Sequence, residues 1–214
     1  MRKPGSMKGL EEFGRVRLSP SFFMRDFLYS EISVFYGIPN IPDNPDLAIA
    51  AGTKLCTELL EPLKASFGDL SIRSSYRNAA VNAFGNQHDL NCANSERAKG
   101  RHVWDHLDSN GHMGAMACVL VPWFTDCYAA GADGGADWRA LAWWIHDHLP
   151  YSRLQFFPKL CAFNIGWSEV PERRIYSYIA PRGCLTKPGA GNYDSDHGDW
   201  YQDFPHLKMG RTQL

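Results

Sequence analysis

The sequence predicts an α+β fold in which N-terminal helices pack on a small antiparallel sheet. Two observations predict it. Apolar residues recur at every fourth position over residues 47–67, which is typical of an amphipathic helix. Most of the short strand-like segments come after this helix, and turns at Pro158 and Pro171 separate three of them. Helices followed by strands joined through short turns favour an antiparallel sheet with helices on one side.

The strongest predicted helix begins at Asn44, a good N-cap, with Pro45 in its first turn. Pro62 is expected to bend its last turn and Gly68 to end it. Shorter helical segments are predicted over residues 22–35, 78–84 and 138–148, the last capped by Asp137. Trp143 and Trp144 of that last helix are interpreted as core residues rather than as a sugar-binding platform.

Strands are predicted over residues 70–74, 116–121, 154–157, 162–167 and 173–179. We expect three regions: an N-terminal arm over 1–17, one domain over 18–182, and an extended C-terminal tail over 183–214. Within the domain, residues 85–111 are polar and show no periodic pattern. Loops of this length are usually functional or bound to a partner, so this segment is a candidate contact surface.

Composition limits the possible classes of protein. The chain has 214 residues, 44% of them hydrophobic, with 22 basic and 23 acidic side chains and a formal net charge of -1. This balance argues against a nucleic-acid-binding protein, which usually carries a basic face. No apolar run follows the basic N-terminus, so we expect a chain made in the cytoplasm without a signal peptide. The longest apolar stretch, residues 113–124, is too short for a membrane span.

The six cysteines include no Cys-x-x-Cys pair, and we expect reduced thiols. Cys56, Cys118 and Cys161 lie in apolar patterns and are predicted to be small buried residues.

Three motifs resemble the D-Ala-D-Ala carboxypeptidase family, zinc peptidases that cut peptidoglycan peptides and occur in bacteria and phages. They are Leu18-Ser19-Pro20-Ser21-Phe22, Leu60-Glu61-Pro62-Leu63, and Ser71-Ile72-Arg73-Ser74-Ser75-Tyr76-Arg77 with Asn82. Gly111-His112 followed by Ala117 is similar to the family's Ser-x-His-x-x-Gly-x-Ala-x-Asp run, and the segment 163–168 to the strand that ends in its second zinc histidine. The resemblance covers about residues 18–180 and implies a carboxypeptidase-like fold.

The resemblance implies a role for each matched residue. His112 would be a zinc ligand. Arg77 would clamp a substrate carboxylate or a developing oxyanion, and Tyr76 would support the same pocket. The alternative for Arg77 is an ordinary salt bridge at the surface or at a helix cap.

The chain departs from the family at the positions that carry the chemistry. Val119 stands at the aspartate ligand, Ser168 at the second histidine and Ile165 at the catalytic carboxylate. Ala115 also replaces a glycine. A catalytic zinc site needs three protein ligands and an open position for water, and in this register only His112 remains.

A rebuilt metal site is the alternative. His102 and His106 are four residues apart and would share a face of a helix, with Asp105 beside them and Glu169 as a base. Further metal-capable side chains are His88, Asp89, Asp194, Asp196 and His197. The competing interpretation is that all of these are solvated loop residues.

Three functions remain open. The first is a non-catalytic member of the fold, without a cofactor, that serves as a structural or binding protein, for example in a phage or phage-like virion, with peptidoglycan peptides or other particle subunits as partners. The second is an active zinc-dependent peptidoglycan peptidase with a rearranged metal site. The third is a soluble binder of peptidoglycan peptides with no role in a particle.

Overall fold

The computed structural model describes residues 1–129 and 136–205. The described helices are α1 (Met7–Gly14), α2 (Glu31–Tyr36), α3 (Pro45–Leu55), α4 (Glu61–Phe67), α5 (Ala79–Gln87), α6 (Ser95–Ala98), α7 (Pro122–Ala129) and α8 (Trp138–His148). The strands are β1 (Ser71–Ser74), β2 (Gly114–Leu120), β3 (Arg153–Phe156), β4 (Phe163–Ser168), β5 (Arg174–Ser177) and β6 (Gly183–Thr186). No helix in these two ranges is long and apolar enough to cross a membrane.

The strands form one sheet in the order β1-β2-β4-β3-β5-β6. All neighbours are antiparallel except β3 and β5, which are parallel. The predicted α+β class is confirmed, but the prediction of a purely antiparallel sheet is wrong. The reason is that β4 and β5 reverse direction along the chain while β3 lies between them, so β5 meets β3 in the same direction.

The strongest predicted helix, here called the central helix, is a continuous helical run from Pro45 to Phe67. Asn44 Oδ1 accepts a hydrogen bond from the Leu47 amide at 3.4 Å, and Gly68, at φ 87°, ends the run. A single π turn over Cys56–Leu60 separates α3 from α4 just before Pro62. Because proline has no amide hydrogen, the wider turn lets the helix continue past it. The run packs on one face of β2 and β4 and forms much of the core.

Two of the motifs that carry the family resemblance touch each other. The Glu61 carboxylate accepts hydrogen bonds from Ser19 Oγ at 2.7 Å, from the Ser21 amide at 2.6 Å and from Ser21 Oγ at 3.0 Å. This carboxylate therefore fastens the segment before α2 to the start of α4. Over residues 22–35, where one helical segment was expected, the structure has a 3-10 turn, Met24–Phe27, followed by α2.

Both ends of the chain are more structured than the sequence suggested. The predicted arm contains α1, whose Phe13 is fully buried. The predicted tail begins with β6, and the segment after it packs on α8, where the His197 ring stacks on Trp143 with 3.8 Å between ring centroids. As far as residue 205 this segment is not an extended tail, and residues 206–214 lie outside the described ranges.

Helix α8 confirms its prediction, and Trp143 and Trp144 are 3% and 1% exposed, as expected of core residues. Arg173 donates hydrogen bonds to the carbonyl oxygens of His146 and Leu149, at 2.7 and 2.6 Å, and so satisfies the C-terminal end of the helix. Helix α8 contacts α4 through Trp144 and Phe67 and β3 through Trp138 and Phe156, so α3, α4 and α8 share one core on one face of the sheet.

Candidate functional site

The opposite face of the sheet forms a cleft of about 1260 Å³. Its floor consists of side chains that point away from the helices: Cys118 of β2, Asn164 of β4, Gln155 of β3 and Tyr176 of β5. Residues of the 85–111 segment form one wall, and the connection between β3 and β4 forms another. The 85–111 segment, predicted as a loop, contains the end of α5, the short helix α6 and several turns.

The lining of this cleft is strongly basic. Six cationic side chains and one carboxylate line it: Arg73, Arg77, Arg97, Arg101, Arg153 and Lys159, with Glu31. Four of the cations, Arg73, Arg77, Arg97 and Lys159, have no carboxylate within 4.0 Å among the described residues. The chain as a whole carries a net charge of -1, so this positive charge is a local concentration. Such a cleft attracts anionic ligands.

Arg101 and Arg153 share one carboxylate. Arg101 Nη2 lies 3.0 Å and Arg153 Nη1 lies 3.6 Å from Glu172 Oε1. The pKa of Arg101 is lowered by burial and by the nearby Arg153, and Glu172 opposes this effect. Burial and Arg153 both disfavour the charged form of Arg101, and an added anion would act in the same direction as Glu172.

Two buried polar atoms at the inner end of the cleft lack a partner. Arg77 Nη1 donates to Cys92 Sγ at 2.6 Å, but Arg77 Nε is buried and unpaired. Asn82 is fully buried; its Nδ2 donates to the Ala93 carbonyl at 3.0 Å, while its Oδ1 has no partner. Both residues line the cleft, but these two atoms themselves have almost no exposed surface.

His102 lies between Arg77 and Asn164 in the cleft. Its Nδ1 is 2.8 Å from the Ser75 carbonyl oxygen and must carry a hydrogen, because that oxygen can only accept. Burial, and then the nearby Arg77, lower the pKa of His102 to about 3. The ring is therefore neutral at physiological pH and leaves Nε2 as an acceptor.

Cys118 was predicted to be a small buried core residue, and it instead lies half-buried on the floor of the cleft. Burial raises the pKa of its thiol to about 11, although Arg73 and Arg77 act in the opposite direction. Cysteine attacks as the thiolate, so this protonated thiol is a poor nucleophile. Cys56 and Cys161 are fully buried as predicted, and all six cysteines, which lie in the described ranges, are free thiols.

The predicted metal ligands are dispersed. Residues 101–106 form turns rather than a helix, so His102 and His106 do not share a helical face. The Asp105 side chain is fully buried behind the cleft, where its Oδ2 accepts from the Asp43 amide at 2.7 Å and its Oδ1 lies 3.3 Å from His106 Nδ1. His112 lines a neighbouring depression of about 400 Å³, with Asp108 Oδ1 3.7 Å from its Nδ1.

Glu169 and Tyr76 also lie outside the cleft, where they cannot take the roles predicted for them. Glu169 is exposed, lines neither depression, and accepts a hydrogen bond from the Met113 amide at 2.7 Å. Tyr76 is fully buried against Trp104, and burial together with the neighbouring Asp105 raises the pKa of its phenol. Of the predicted substrate-binding pair, only Arg77 lines the cleft.

The positions matched to the family's zinc site do not form one. Val119 and Ile165 are fully buried in the core, and Ser168 lines the smaller depression. Within the described residues, no three His, Cys, Asp or Glu side chains are grouped to hold a metal ion. The side chains of β2 and β4 that line the cleft are Met116, Cys118 and Asn164, and the last two are partners across the two strands. This donor set does not fit a catalytic zinc ion, which needs three nitrogen, thiolate or carboxylate ligands.

Sequence reasoning missed five of the six cations: Arg73, Arg97, Arg101, Arg153 and Lys159. Arg73 lies in an alternating strand pattern that indicates an outward-facing side chain. The others come from three separate parts of the chain, and only the strand order brings them together. No protein-family model, curated protein or solved structure matches the chain.

Proposed function

We propose that the chain is a non-catalytic binding protein of the D-Ala-D-Ala carboxypeptidase-like fold, and that its basic cleft binds acidic peptides of the kind found in peptidoglycan. The observation that carries the proposal is the lining of the cleft, with six cations against one carboxylate. Guanidinium groups bind carboxylates through paired, charge-assisted hydrogen bonds. Peptidoglycan stem peptides carry carboxylates both along the chain and at its end.

The chemistry of the cleft supports binding rather than hydrolysis. Among the described residues, Glu31 is the one carboxylate of the cleft and so its one acidic candidate for a general base, and the Cys118 thiol is protonated at neutral pH. His102 leaves Nε2 as an acceptor, but with its pKa lowered to about 3 by burial and Arg77 the ring is a weak base. A water-activating metal would need ligands that the chain places in three different regions.

Calorimetry on the full chain tests the proposal. A stem tetrapeptide is expected to bind at low salt and to bind more weakly as the salt concentration rises, because screening weakens exposed ion pairs. Arg153→Gln should weaken binding roughly tenfold, in line with the loss of one charge-assisted contact. The matched control is Arg15→Gln, which removes an exposed arginine just after α1 that does not line the cleft.

Two results would contradict the proposal. One is the absence of any binding by the folded protein, and the other is an equal effect of Arg153→Gln and Arg15→Gln. Release of D-alanine after zinc loading would instead support the active peptidase. Membership of a phage or phage-like particle stays a prediction, and copurification with particle proteins tests it.

A further inference from the structure

The arginines of the cleft fall into two groups on different strands. The first anchor is Arg73 of β1 with Arg77, which follows that strand. The second anchor is Arg153 of β3 with Arg97 and Arg101 of the facing wall. Strands β2 and β4 lie between β1 and β3, so Arg73 and Arg153, the strand residues of the two anchors, are three strand spacings apart. At about 4.8 Å per spacing, this is about 14 Å across the sheet.

The two anchors differ in how much of their positive charge is balanced by carboxylates of the chain itself. No described carboxylate lies within 4.0 Å of Arg73 or Arg77. At the second anchor, Glu172 Oε1 lies 3.0 Å from Arg101 Nη2 and 3.6 Å from Arg153 Nη1. The backbone of Glu172 is held in place, since its amide donates to Ser152 Oγ at 3.0 Å.

Glu172 lines the smaller depression, which shares Arg97, Arg101 and Arg153 with the cleft. Its carboxylate therefore reaches the second anchor from the depression and not from the cleft. It occupies donors that an incoming carboxylate would use, and its negative charge repels that carboxylate.

We propose that the cleft recognises an extended dicarboxylate, with one carboxylate at each anchor and Glu172 as a built-in competitor at the second. This inference rests on the proposed function and narrows its ligand. An extended peptide advances about 3.4 Å per residue, so the three residues from the D-glutamate to the C-terminus of a stem tetrapeptide cover about 10 Å. The arginine side chains cover the rest of the distance between the two strands. A ligand with one carboxylate would bind one anchor only, and its affinity would lack the contribution of the other anchor.

The inference is tested by calorimetry on the full chain with three forms of one stem tetrapeptide. One form has free carboxylates at its D-glutamate and at its C-terminus, and the other two are each amidated at one of these positions. Each amidation is expected to weaken binding about tenfold, as the loss of a charge-assisted contact would. In Arg73→Gln, one of the two amidations should lose its effect, and in Arg153→Gln the other should lose its effect.

The competitor is tested by Glu172→Gln, which keeps the shape of the side chain and removes its charge. Binding of the dicarboxylate should become several-fold tighter. The matched control is Glu11→Gln, which removes an exposed carboxylate paired with Arg15 on α1 and should leave affinity unchanged. Circular dichroism verifies that each variant is folded.

The outcomes separate the two proposals. If no form binds to the folded protein, the proposed function is wrong. If the three forms bind equally well, or if both arginine variants respond to the same amidation, the protein binds peptides but not through two anchors. If Glu172→Gln weakens binding, Glu172 is part of the binding surface and not a competitor.

Discussion

At the scale of single residues, the direction of each side chain on β2 and β4 decides what the cleft can do. Val119 and Ile165 point into the core, and Cys118 and Asn164 point into the cleft. Successive side chains of a strand alternate between its two faces, so a shift of one residue exchanges a core position for a cleft position. Of the three matched positions that lack a ligand-type side chain, Val119 and Ile165 therefore pack the core in this chain, and Ser168 lines the smaller depression.

The other residue-scale feature is a histidine held neutral beside arginines. Burial and Arg77 lower the pKa of His102 to about 3, below its ordinary value of about 6.5. A lowered pKa in the folded state means that protonation favours unfolding. The contribution of the neutral ring is therefore complete above about pH 6.5 and is lost as the pH falls from there toward 3.

We expect His102→Gln to change the pH dependence of stability. The wild-type protein should lose free energy of unfolding below pH 6.5 at a rate of up to about 1.4 kcal/mol per pH unit from this group. The variant should lack that component, so the difference between the two proteins should shrink from pH 7 to pH 4. Urea titrations at several pH values measure this. A difference that is constant with pH would mean that His102 titrates normally in the folded protein.

At the scale of elements, a glycine fixes the 85–111 segment to the sheet. A Cβ atom built on Gly114, the first residue of β2, would lie 2.1 Å from the carbonyl oxygen of Gly100 and 3.1 Å from that of Trp167. Both neighbours are backbone atoms, which cannot move as the end of a side chain can. The absence of a side chain at residue 114 thus lets the wall that carries Arg97 and Arg101 lie close to the sheet.

Gly114→Ala is therefore expected to separate this wall from β2 and to destabilise the protein by about 1–3 kcal/mol, the usual range for overpacking. Peptide binding should weaken in the fraction that stays folded, because the second anchor is displaced. Thermal unfolding and calorimetry measure the two effects. Gly191→Ala is the control, since a Cβ there meets nothing within 4 Å. Equal melting temperatures of the two variants would contradict the close approach.

At the scale of the whole molecule, the sequence predicts local features better than their arrangement. The central helix, helix α8 with its Asp137 cap, and the strands over 71–74, 153–156 and 163–168 follow from periodicity and capping. Helix α7 was not predicted, although it begins at Pro122 and proline favours the first turn of a helix. The basic cleft was missed because its cations come together only through the strand order, which no local pattern encodes.

The packing of the C-terminal segment was also not predicted from the sequence. As far as residue 205, this segment packs on α8. Both ring nitrogens of His197 are bound: Nδ1 lies 2.9 Å from Asp147 Oδ1 and Nε2 lies 2.8 Å from the Asn192 carbonyl oxygen. Its ring stacks on Trp143 with only 7° between the planes. Residues that resemble metal ligands in the sequence thus include one that fastens a segment of the chain to a helix.

We expect His197→Phe to keep the stacking and lose both hydrogen bonds. It should destabilise the protein by about 2 kcal/mol, because each hydrogen bond contributes about 1 kcal/mol and the two acceptors lose a buried partner. The matched control is His88→Phe, which also replaces a stacked histidine but at an exposed position with one local hydrogen bond. Thermal unfolding compares the two variants, and hydrogen exchange should increase over 187–205 only in His197→Phe. Since the cleft lies on the opposite face of the sheet, peptide affinity should stay unchanged, and a large loss of affinity would mean that this segment supports the cleft.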